Sequence, residues 1–392
     1  MAGEDTSPFN ARQLNRLRVI QALYQHPGTS RTAVAELTGL SRPTVSAFME
    51  ELEKAGIVEE FEATAPRQSG GRPPVLMTLV PRAAFAVGVD MGHEHLRVAV
   101  CDLSGDMLSD EYSAIDVDHA PHETMDLATE MVARTLERAE VARDRVIGVG
   151  MALAAPVDGE TGRVFARGIL PSWGGVEPVA EMERRVGLPV RLENDANLGA
   201  LGEHVFGAGQ GVDEMAYVRL SAGIGLGLVL GGRAFGGTCG IAGELGHVRV
   251  SRDGPICRCG NRGCLEIVAS PSAVAKLLGP NVSVAQMLDL ANGGDRGAQR
   301  AIADAGELIG EALATVVTLL NPKVIVVGGD LATTGDVVID PIRRAIARYA
   351  IPPAGAAVEV VRGTLGEQAE VLGAAAMVLG ESPQVLAQRL TD

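Results

Sequence analysis

The segment GELGHVRVSRDGPICRCGNRGCLE, residues 243–266, contains the strongest chemical signal in this sequence. Three cysteines lie within eight residues, a histidine precedes them by ten positions, and a glycine-containing knuckle separates the last two; the set is His247, Cys257, Cys259 and Cys264. Three thiolates and one imidazole form a common structural zinc set that leaves no coordination position open for water. The segment therefore predicts a structural zinc ion, with a cluster of buried or redox-active thiols as the alternative.

Apolar strands and amphipathic helices alternate on both sides of this segment, from about residue 81 to the end of the chain. The pattern predicts strands at 85–90, 96–103, 146–153, 188–192, 216–220, 225–230 and 323–327, and helices near 122–141, 176–187, 196–206 and across 296–320. Alternation of this kind is typical of an α/β domain with mixed sheets. The fold class that we predict for the larger part of the chain is therefore α/β.

Residues 10–80 follow a different pattern, that of a helix-turn-helix. Three short helices are predicted, with Gly39 at the corner before the third helix and Ser41 as its N-cap. Val45, Phe48, Met49 and Leu52 are spaced to face inward. The side chains left at the start of the third helix, where a recognition helix meets base edges, are Ser41, Arg42, Thr44 and Ser46.

Two strand patterns, at residues 57–61 and 75–79, follow the third helix and flank the loop ATAPRQSGGRPP. This arrangement predicts a wing with Arg67 and Arg72 in its tip, and a narrow cationic tip can place an arginine in an A·T-rich minor groove. The corner, the cap and the wing together favour DNA binding. The alternative is a small helical dimerisation or docking module.

Charge and composition restrict the class of protein. The net charge is −15, but residues 1–80 hold 8 basic and 9 acidic residues, and five arginines face one glutamate within residues 10–49. The acidity belongs to the larger domain, which disfavours general coating of nucleic acid and leaves site-specific binding open. No run of about 18 uncharged apolar residues and no secretory signal is present. We therefore expect a cytoplasmic protein without a membrane segment, and five cysteines suit that reduced compartment.

The sequence resembles the ROK family (repressors, open reading frames and kinases) over essentially the whole chain. The most specific matches are residues 192–197 (LENDAN), residues 243–247 (GELGH) and the cysteine knuckle that leads into Glu266. The resemblance implies a two-lobed, actin-like sugar-kinase domain over residues 81–392, preceded by a winged helix-turn-helix domain over residues 10–80. Lobe one is expected at about 84–195 plus the C-terminal helix, and lobe two at about 196–370.

The resemblance also implies roles for individual residues. Asp195 lies where the kinases of the family hold their general base, and here it is expected chiefly to bind sugar. Asp195 is also expected to cap the helix that begins there. The residues that match sugar-binding or ligand-positioning positions are Asn194, Asp195, Glu244, His247 and Glu266. The zinc ion would then hold the loop with Glu244 near the loop with Glu266.

The phosphate loops give a divided answer about kinase activity. The glycine spacing of the second phosphate loop and of the adenosine-side turn is retained in Gly223, Gly225, Gly227, Gly328 and Gly329. The first loop departs from the family's Asp-x-Gly-Gly-Thr pattern, because it has His93 and Glu94 in the last two places of Asp90-Met91-Gly92-His93-Glu94. A carboxylate close to a triphosphate would cost a few kcal/mol, or roughly a hundredfold in affinity.

Two more departures concern the sugar side, where Ala155 stands in place of a frequent glycine and Ile169 in place of a frequent sugar-binding asparagine. The resulting prediction is a sugar-responsive transcriptional regulator, a repressor of carbohydrate-utilisation genes rather than an enzyme. It would bind operator DNA and a sugar or sugar phosphate as a homodimer or homotetramer. One alternative is an ATP-dependent sugar kinase with a DNA-binding arm. Another is a regulator whose large domain binds a protein effector instead of a small molecule.

Overall fold

The structure is a computed structural model that describes residues 10–62, 75–159, 161–165 and 168–390. The two predicted wing-tip arginines, Arg67 and Arg72, lie outside the described residues. None of the helices in the described part of the chain combines the length and the apolar character that a membrane crossing requires.

The N-terminal module has three helices and a two-stranded antiparallel hairpin. Ser30 and Ser41 cap the second and third helices, and Gly39 ends the second helix in the left-handed conformation at φ 70°. The third helix buries the four apolar residues that the sequence predicted, Val45, Phe48, Met49 and Leu52. The elements are α1 (Ala11–Gln25), α2 (Arg31–Thr38), α3 (Arg42–Lys54), β1 (Val58–Glu62) and β2 (Val75–Leu79).

The first lobe is built on a five-stranded sheet of order β5-β4-β3-β6-β9, in which β3 and β6 pair in parallel and β3 and β4 antiparallel. A separate two-stranded ribbon, β7-β8, lies beside it. The elements are β3 (Phe85–Met91), β4 (His95–Asp102), β5 (Met107–Ala114), α4 (Pro121–Arg138), β6 (Val146–Leu153), β7 (Val157–Asp158), β8 (Arg163–Val164), α5 (Pro178–Val186), β9 (Val190–Asn194) and α6 (Asp195–Phe206).

The second lobe contains another five-stranded sheet, of order β12-β11-β10-β13-β14. The elements after α6 are β10 (Met215–Leu220), β11 (Ile224–Leu230), β12 (Arg233–Ala234), α7 (Leu265–Ala269), α8 (Pro271–Leu278), α9 (Val284–Asn292), α10 (Arg296–Leu320), β13 (Val324–Gly328), α11 (Asp336–Tyr349), α12 (Pro352–Ala357), β14 (Glu359–Arg362), α13 (Ala369–Leu379) and α14 (Ser382–Arg389). The helix α13 packs on β3 and β6 of the first sheet.

The two sheets share one topology. In each, the first strand lies in the centre, pairs antiparallel with the second strand and parallel with the fourth, and the last strand lies at the edge. After the last strand of each sheet the chain enters a helix, α6 after β9 and α13 after β14. The two helices pack so closely that a side chain at Gly202 would overlap Ala369, and one at Gly373 would overlap Leu198. The helices α6 and α13 are therefore the common wall of the two lobes.

The N-terminal module is packed on the lobes rather than tethered beside them. One buried apolar cluster includes residues of α1 to α3 together with residues of β3, β4, α13 and α14, among them Ile20, Ala86, Val371 and Leu386. The helix α14 lies directly against α1. The helix α14 therefore connects the lobes to the N-terminal module.

Candidate functional site

A polar pocket lies where the carboxyl end of the first sheet faces the loops of the second lobe. The strand β9 ends at Asn194, and α6 begins at the next residue, so the turn between them presents two polar side chains. We call this cavity the sugar pocket, after the ligand that the sequence predicts for its residues. Its lining includes, among others, His93, Ala155, Ile169, Asn194, Asp195, Arg219, Gly223, Gly225, Glu244, His247, Arg258 and Glu266.

The helix cap at the base of the pocket is Asn194, which corrects the expectation that Asp195 caps α6. The Asn194 side-chain oxygen accepts hydrogen bonds from the backbone N–H groups of Ala196 at 2.9 Å and Asn197 at 3.2 Å. Its amide nitrogen donates to the carbonyl of Ala155 at 3.0 Å. Asp195 is the first helical residue, and the cap leaves one of its two carboxylate oxygens directed at Arg219.

Glu244 and Glu266 approach the pocket from the second lobe. Burial, together with the negative charges of Asp195 and Glu266, raises the pKa of Glu244 to about 7. The Glu266 carboxylate lies 3.3 Å from a guanidinium nitrogen of Arg258, which lies between Cys257 and Cys259 in the sequence. The pocket thus offers carboxylate acceptors and amide and guanidinium donors at close range, the set of groups that binds a polyol.

Arg219 is a pocket residue that the sequence analysis missed. It lies in β10, of which every residue is buried, and its Nη1 is 3.1 Å from the Asp195 carboxylate. Its Nε donates at 2.9 Å to Glu370 of α13, which also accepts a 3.1 Å hydrogen bond from the Tyr217 hydroxyl. Burial lowers the pKa of Arg219, but the charges of Asp195 and Glu370 outweigh it, and the net direction is up. The sequence signal that could have identified Arg219 is that it is a single charged residue inside an otherwise uncharged, buried strand.

The four predicted metal ligands meet in space. The ligand atoms of His247, Cys257, Cys259 and Cys264 all lie within 4.8 Å of one another. Cys259 Sγ is 3.7 Å from Cys264 Sγ, and Cys257 Sγ is 3.6 Å from His247 Nδ1. The other ring nitrogen of His247 is 3.8 Å from Glu244. This cluster can hold a metal ion and connects it to the sugar pocket.

The five predicted phosphate-loop glycines lie in different places. Gly223 and Gly225 line the sugar pocket, whereas a side chain at Gly227 would overlap α6, so that glycine permits close packing. Gly328 and Gly329 line a second, larger cavity on the other side of Arg219. We call it the rear cavity; its lining includes Asp90, His95, Arg97, Arg219, Gly328, Gly329, Asp330, Arg362, Glu367 and Glu370.

The loop after β3 is arranged differently from the expectation. Glu94 is exposed and lines a separate cleft with Lys276, so its carboxylate does not face the rear cavity. His93 turns toward Asp118, with 2.7 Å between Nδ1 and Oδ1. The side chain of this loop region that enters the rear cavity is His95, whose Nε2 is 2.9 Å from the Asp90 carboxylate.

The predicted DNA-contacting side chains lie at the amino-terminal end of α3. Arg42 is exposed. The hydroxyls of Ser41 and Thr44 are 2.7 Å apart, and Ser41 also accepts from the Thr44 backbone, which fixes the first turn of the helix. Ser46 is partly exposed one turn from Arg42.

A winged helix-turn-helix followed by two lobes of identical sheet topology, with a polar pocket between them, defines a sugar-kinase-like protein with a DNA-binding module. The ROK family profile matches residues 86–381, and a profile described as winged helix-turn-helix DNA-binding matches residues 12–59. The chain belongs to the ROK family.

Three relatives illustrate the range of that similarity. The xylose repressor of Bacillus spizizenii is 29% identical over 371 residues, which cover 94% of this chain and 95% of the repressor. A ROK family transcriptional regulator described as a homolog of the E. coli MLC protein superposes with a TM-score of 0.77 at 26% identity, covering 96% and 98% of the two chains. The ROK glucokinase of Streptomyces griseus, solved with glucose and AMPPNP, has a TM-score of 0.68 at 30% identity and covers 75% and 99%.

Proposed function

We propose that this chain is a sugar-responsive transcriptional repressor of carbohydrate-utilisation genes. The observation that carries the proposal is the sugar pocket, which lies between lobes that are packed directly on a winged helix-turn-helix. Residues 10–80 would read operator DNA, and residues 81–392 would bind the effector. A xylose repressor that is similar over nearly the full length of both chains supports this division.

The effector would be a monosaccharide or its phosphate, bound by Asn194, Asp195, Glu244, His247 and Glu266. Xylose and glucose are the first candidates, because one relative is named for xylose and another was solved with glucose. Ile169 in the pocket wall offers only apolar contact. We therefore expect a selectivity for sugars that differs from that of relatives with an amide at this place.

The signal would travel through the two helices that end the chain. Sugar binding would draw the lobes together across the wall formed by α6 and α13. The helix α13 leads into α14, which lies against α1 of the DNA-binding module. An effector that binds one arrangement of the lobes more tightly shifts the population toward it by no more than its differential affinity.

On the DNA side, Ser41, Arg42, Thr44 and Ser46 would contact bases in the major groove. Arg67 and Arg72 would reach a minor groove from the wing. Paired operator half-sites require paired winged helices, so we propose a homodimer or homotetramer.

Zinc is the metal that fits the four-residue cluster best. In a tetrahedral zinc site, two sulfur ligands lie roughly 3.8 Å apart, and a sulfur and a nitrogen ligand roughly 3.6 Å apart. The Cys259–Cys264 distance is 3.7 Å and the Cys257–His247 distance is 3.6 Å. A zinc ion there would hold the loop with Glu244 near the start of α7 with Glu266, and so would shape the sugar pocket.

A kinase with a DNA-binding arm is the alternative function, supported by the glucokinase relative. Two contacts weigh against it. The Asp195 carboxylate, at the position of the kinase base, is already paired with Arg219. The Asp90 carboxylate in the rear cavity is hydrogen-bonded to His95. Asp195 would have to leave Arg219 before it could accept a proton from a sugar. Asp90 would have to leave His95 before its carboxylate could take part in nucleotide binding.

Calorimetry of the full-length protein with monosaccharides and their 6-phosphates, with and without ATP, tests the proposal. We expect one sugar to bind without turnover and to release the protein from operator DNA. ATP consumption that is lost in Asp195→Asn would establish the kinase instead. If no sugar or sugar phosphate bound, a protein effector would be favoured.

A further inference from the structure

Arg219 stands between two cavities of unequal size. The sugar pocket has a volume of about 60 Å³ and the rear cavity about 680 Å³. Of the described residues that line these cavities, Arg219 is the one that lines both. Its guanidinium is therefore the wall at the Asp195 end of the sugar pocket.

This wall is fixed from both sides. One guanidinium nitrogen lies 3.1 Å from Asp195 of the first lobe, and another donates at 2.9 Å to Glu370 of α13. All three side chains are at most 10% exposed. If the guanidinium swung aside, two carboxylates would remain buried and unpaired, which is strongly unfavourable. The wall is therefore a permanent part of the pocket.

The charges around Arg219 oppose an anionic ligand. Three buried carboxylates, those of Asp90, Asp195 and Glu370, surround one guanidinium. Oδ1 of Asp90 has no hydrogen-bond partner in the described part of the chain. The other arginines of the rear cavity, Arg97 and Arg362, do not line the sugar pocket. A phosphate that entered beside Asp195 would meet more negative than positive charge at short range, where Coulomb energies are largest.

We propose that Arg219 is a specificity-determining residue that sets the length of the sugar the pocket accepts. In this proposal the C5 end of the sugar lies against the guanidinium beside Asp195, so a pentose binds more tightly than a hexose, and each extension toward Arg219 weakens binding. The inference rests on the proposed function and names the effector class of the same pocket.

Xylose, glucose and glucose 6-phosphate are suitable probes, because they share the ring and differ only in the substituent on C5. Calorimetry with the full chain should give a dissociation constant for xylose roughly tenfold or more below that for glucose, with glucose 6-phosphate weaker still. The double variant Arg219→Ala/Glu370→Gln removes one charge of each sign and opens the wall. We expect its xylose-to-glucose ratio to move roughly tenfold toward glucose. Arg219→Lys, which keeps the charge and shortens the side chain, should move the ratio in the same direction.

Arg362→Ala is the matched control, because Arg362 lines only the rear cavity, and the ratio should not change. A change of both dissociation constants by one common factor in the Arg219 variants would mean that Arg219 is merely structural, and the inference would be wrong while the proposed function stood. Tightest binding of glucose 6-phosphate by the wild type would also overturn it. If the wild type bound operator DNA but none of the three probes, the inference would be wrong, and the proposed function would be decided by the wider panel of sugars.

Discussion

Arg16 of α1 donates a hydrogen bond of 3.2 Å from Nη1 to the backbone carbonyl of Ala387 in α14. The same guanidinium forms an ion pair with Glu51 of α3. Its side chain is only 5% exposed. One buried arginine therefore joins the helix that ends the chain to the helix that begins with the predicted base-contacting residues. This side chain is therefore a direct polar route, beside the apolar cluster, by which a displacement of α14 reaches α3.

Arg16→Met would remove both contacts and keep most of the side-chain volume. We expect the free energy of unfolding to fall by about 1–3 kcal/mol, because buried acceptors lose a charged donor. We also expect the effector to bind with unchanged affinity but to release operator DNA less completely. Urea unfolding and titration of the operator complex with effector measure the two effects.

Arg12→Met is the matched control for Arg16. Arg12 pairs with the same Glu51 at 2.7 Å, but its side chain is 70% exposed. An exposed pair contributes about 0–1 kcal/mol. Within the described residues, the polar partner of the Arg12 side chain is Glu51 of α3, and no hydrogen bond or ion pair joins it to α14. Equal loss of DNA release in both variants would show that the contact with Ala387 does not transmit the signal.

The ion pairs of Glu51 with Arg12 and Arg16 make the stability of the N-terminal module depend on pH, and the direction of that dependence follows from the pKa of Glu51. Burial raises the pKa of Glu51, but the hydrogen bonds and charges of Arg12 and Arg16 outweigh it and hold the pKa below its usual value. A carboxyl whose pKa is lower in the folded state contributes stability above its unfolded pKa and loses it as the pH falls through the folded pKa.

We therefore expect the Tm difference between the wild type and Glu51→Gln to be largest near neutral pH. It should shrink below about pH 4, as the wild-type carboxyl becomes protonated. Scanning calorimetry at a series of pH values provides the test. A difference that widened on acidification would contradict the assigned direction of the shift.

Local patterns predicted more of this molecule than distant contacts could. The strand at 146–153 and the buried face of α3 were predicted correctly, because the periodicity of apolar residues reports each directly. The metal cluster was also readable, since its ligands lie within eighteen residues of one another. Assigning the cap of α6 to Asp195 was wrong by one residue, because both Asn194 and Asp195 are good N-caps and only backbone angles distinguish them.

Contacts between distant parts of the chain gave no sequence signal. The partners Arg219 and Glu370 are 151 residues apart, and Arg16 and Ala387 are 371 residues apart. Neither pair belongs to a motif or a periodic pattern. Their position depends on how two lobes and a helical module pack, which the amphipathic pattern of any one element does not determine. These two arginines are the residues to which we give a role in specificity and in signal transmission.

Cys259→Ser should lower the zinc content of the purified protein and destabilise the second lobe, because metal binding to such a cluster is coupled to folding. Elemental analysis and thermal unfolding measure both. The control is Cys239→Ser, since Cys239 is an exposed free cysteine outside the cluster. Zinc content that is unchanged in Cys259→Ser, or equally reduced in the control, would refute the ligand assignment.

Arg42→Ala should weaken binding to the operator by about 1–3 kcal/mol and relax the preference at one base pair, if its guanidinium reads a guanine edge. Lys54→Ala, at the other end of the same helix, is the control and should leave base preference unchanged. Competition between operator variants at fixed salt measures both quantities. A uniform loss of affinity on all sequences would mean that Arg42 contacts only phosphates.

Asp195→Asn tests the sugar pocket without removing its support. The change keeps the shape of the side chain and replaces a charged acceptor of sugar hydroxyls with a neutral amide, and Arg219 keeps Glu370 as its partner. We expect effector affinity to fall at least about tenfold, the equivalent of one charge-assisted hydrogen bond, while operator binding without effector is unchanged. Glu193→Gln is the same chemical change two residues away, on a carboxylate that accepts from Asn194 and Asn197 and does not line the pocket. Because both variants carry the same loss of charge, a fall in effector affinity confined to Asp195→Asn would assign the effect to contact with the sugar, and an equal fall in both would assign it to the fold of the turn between β9 and α6.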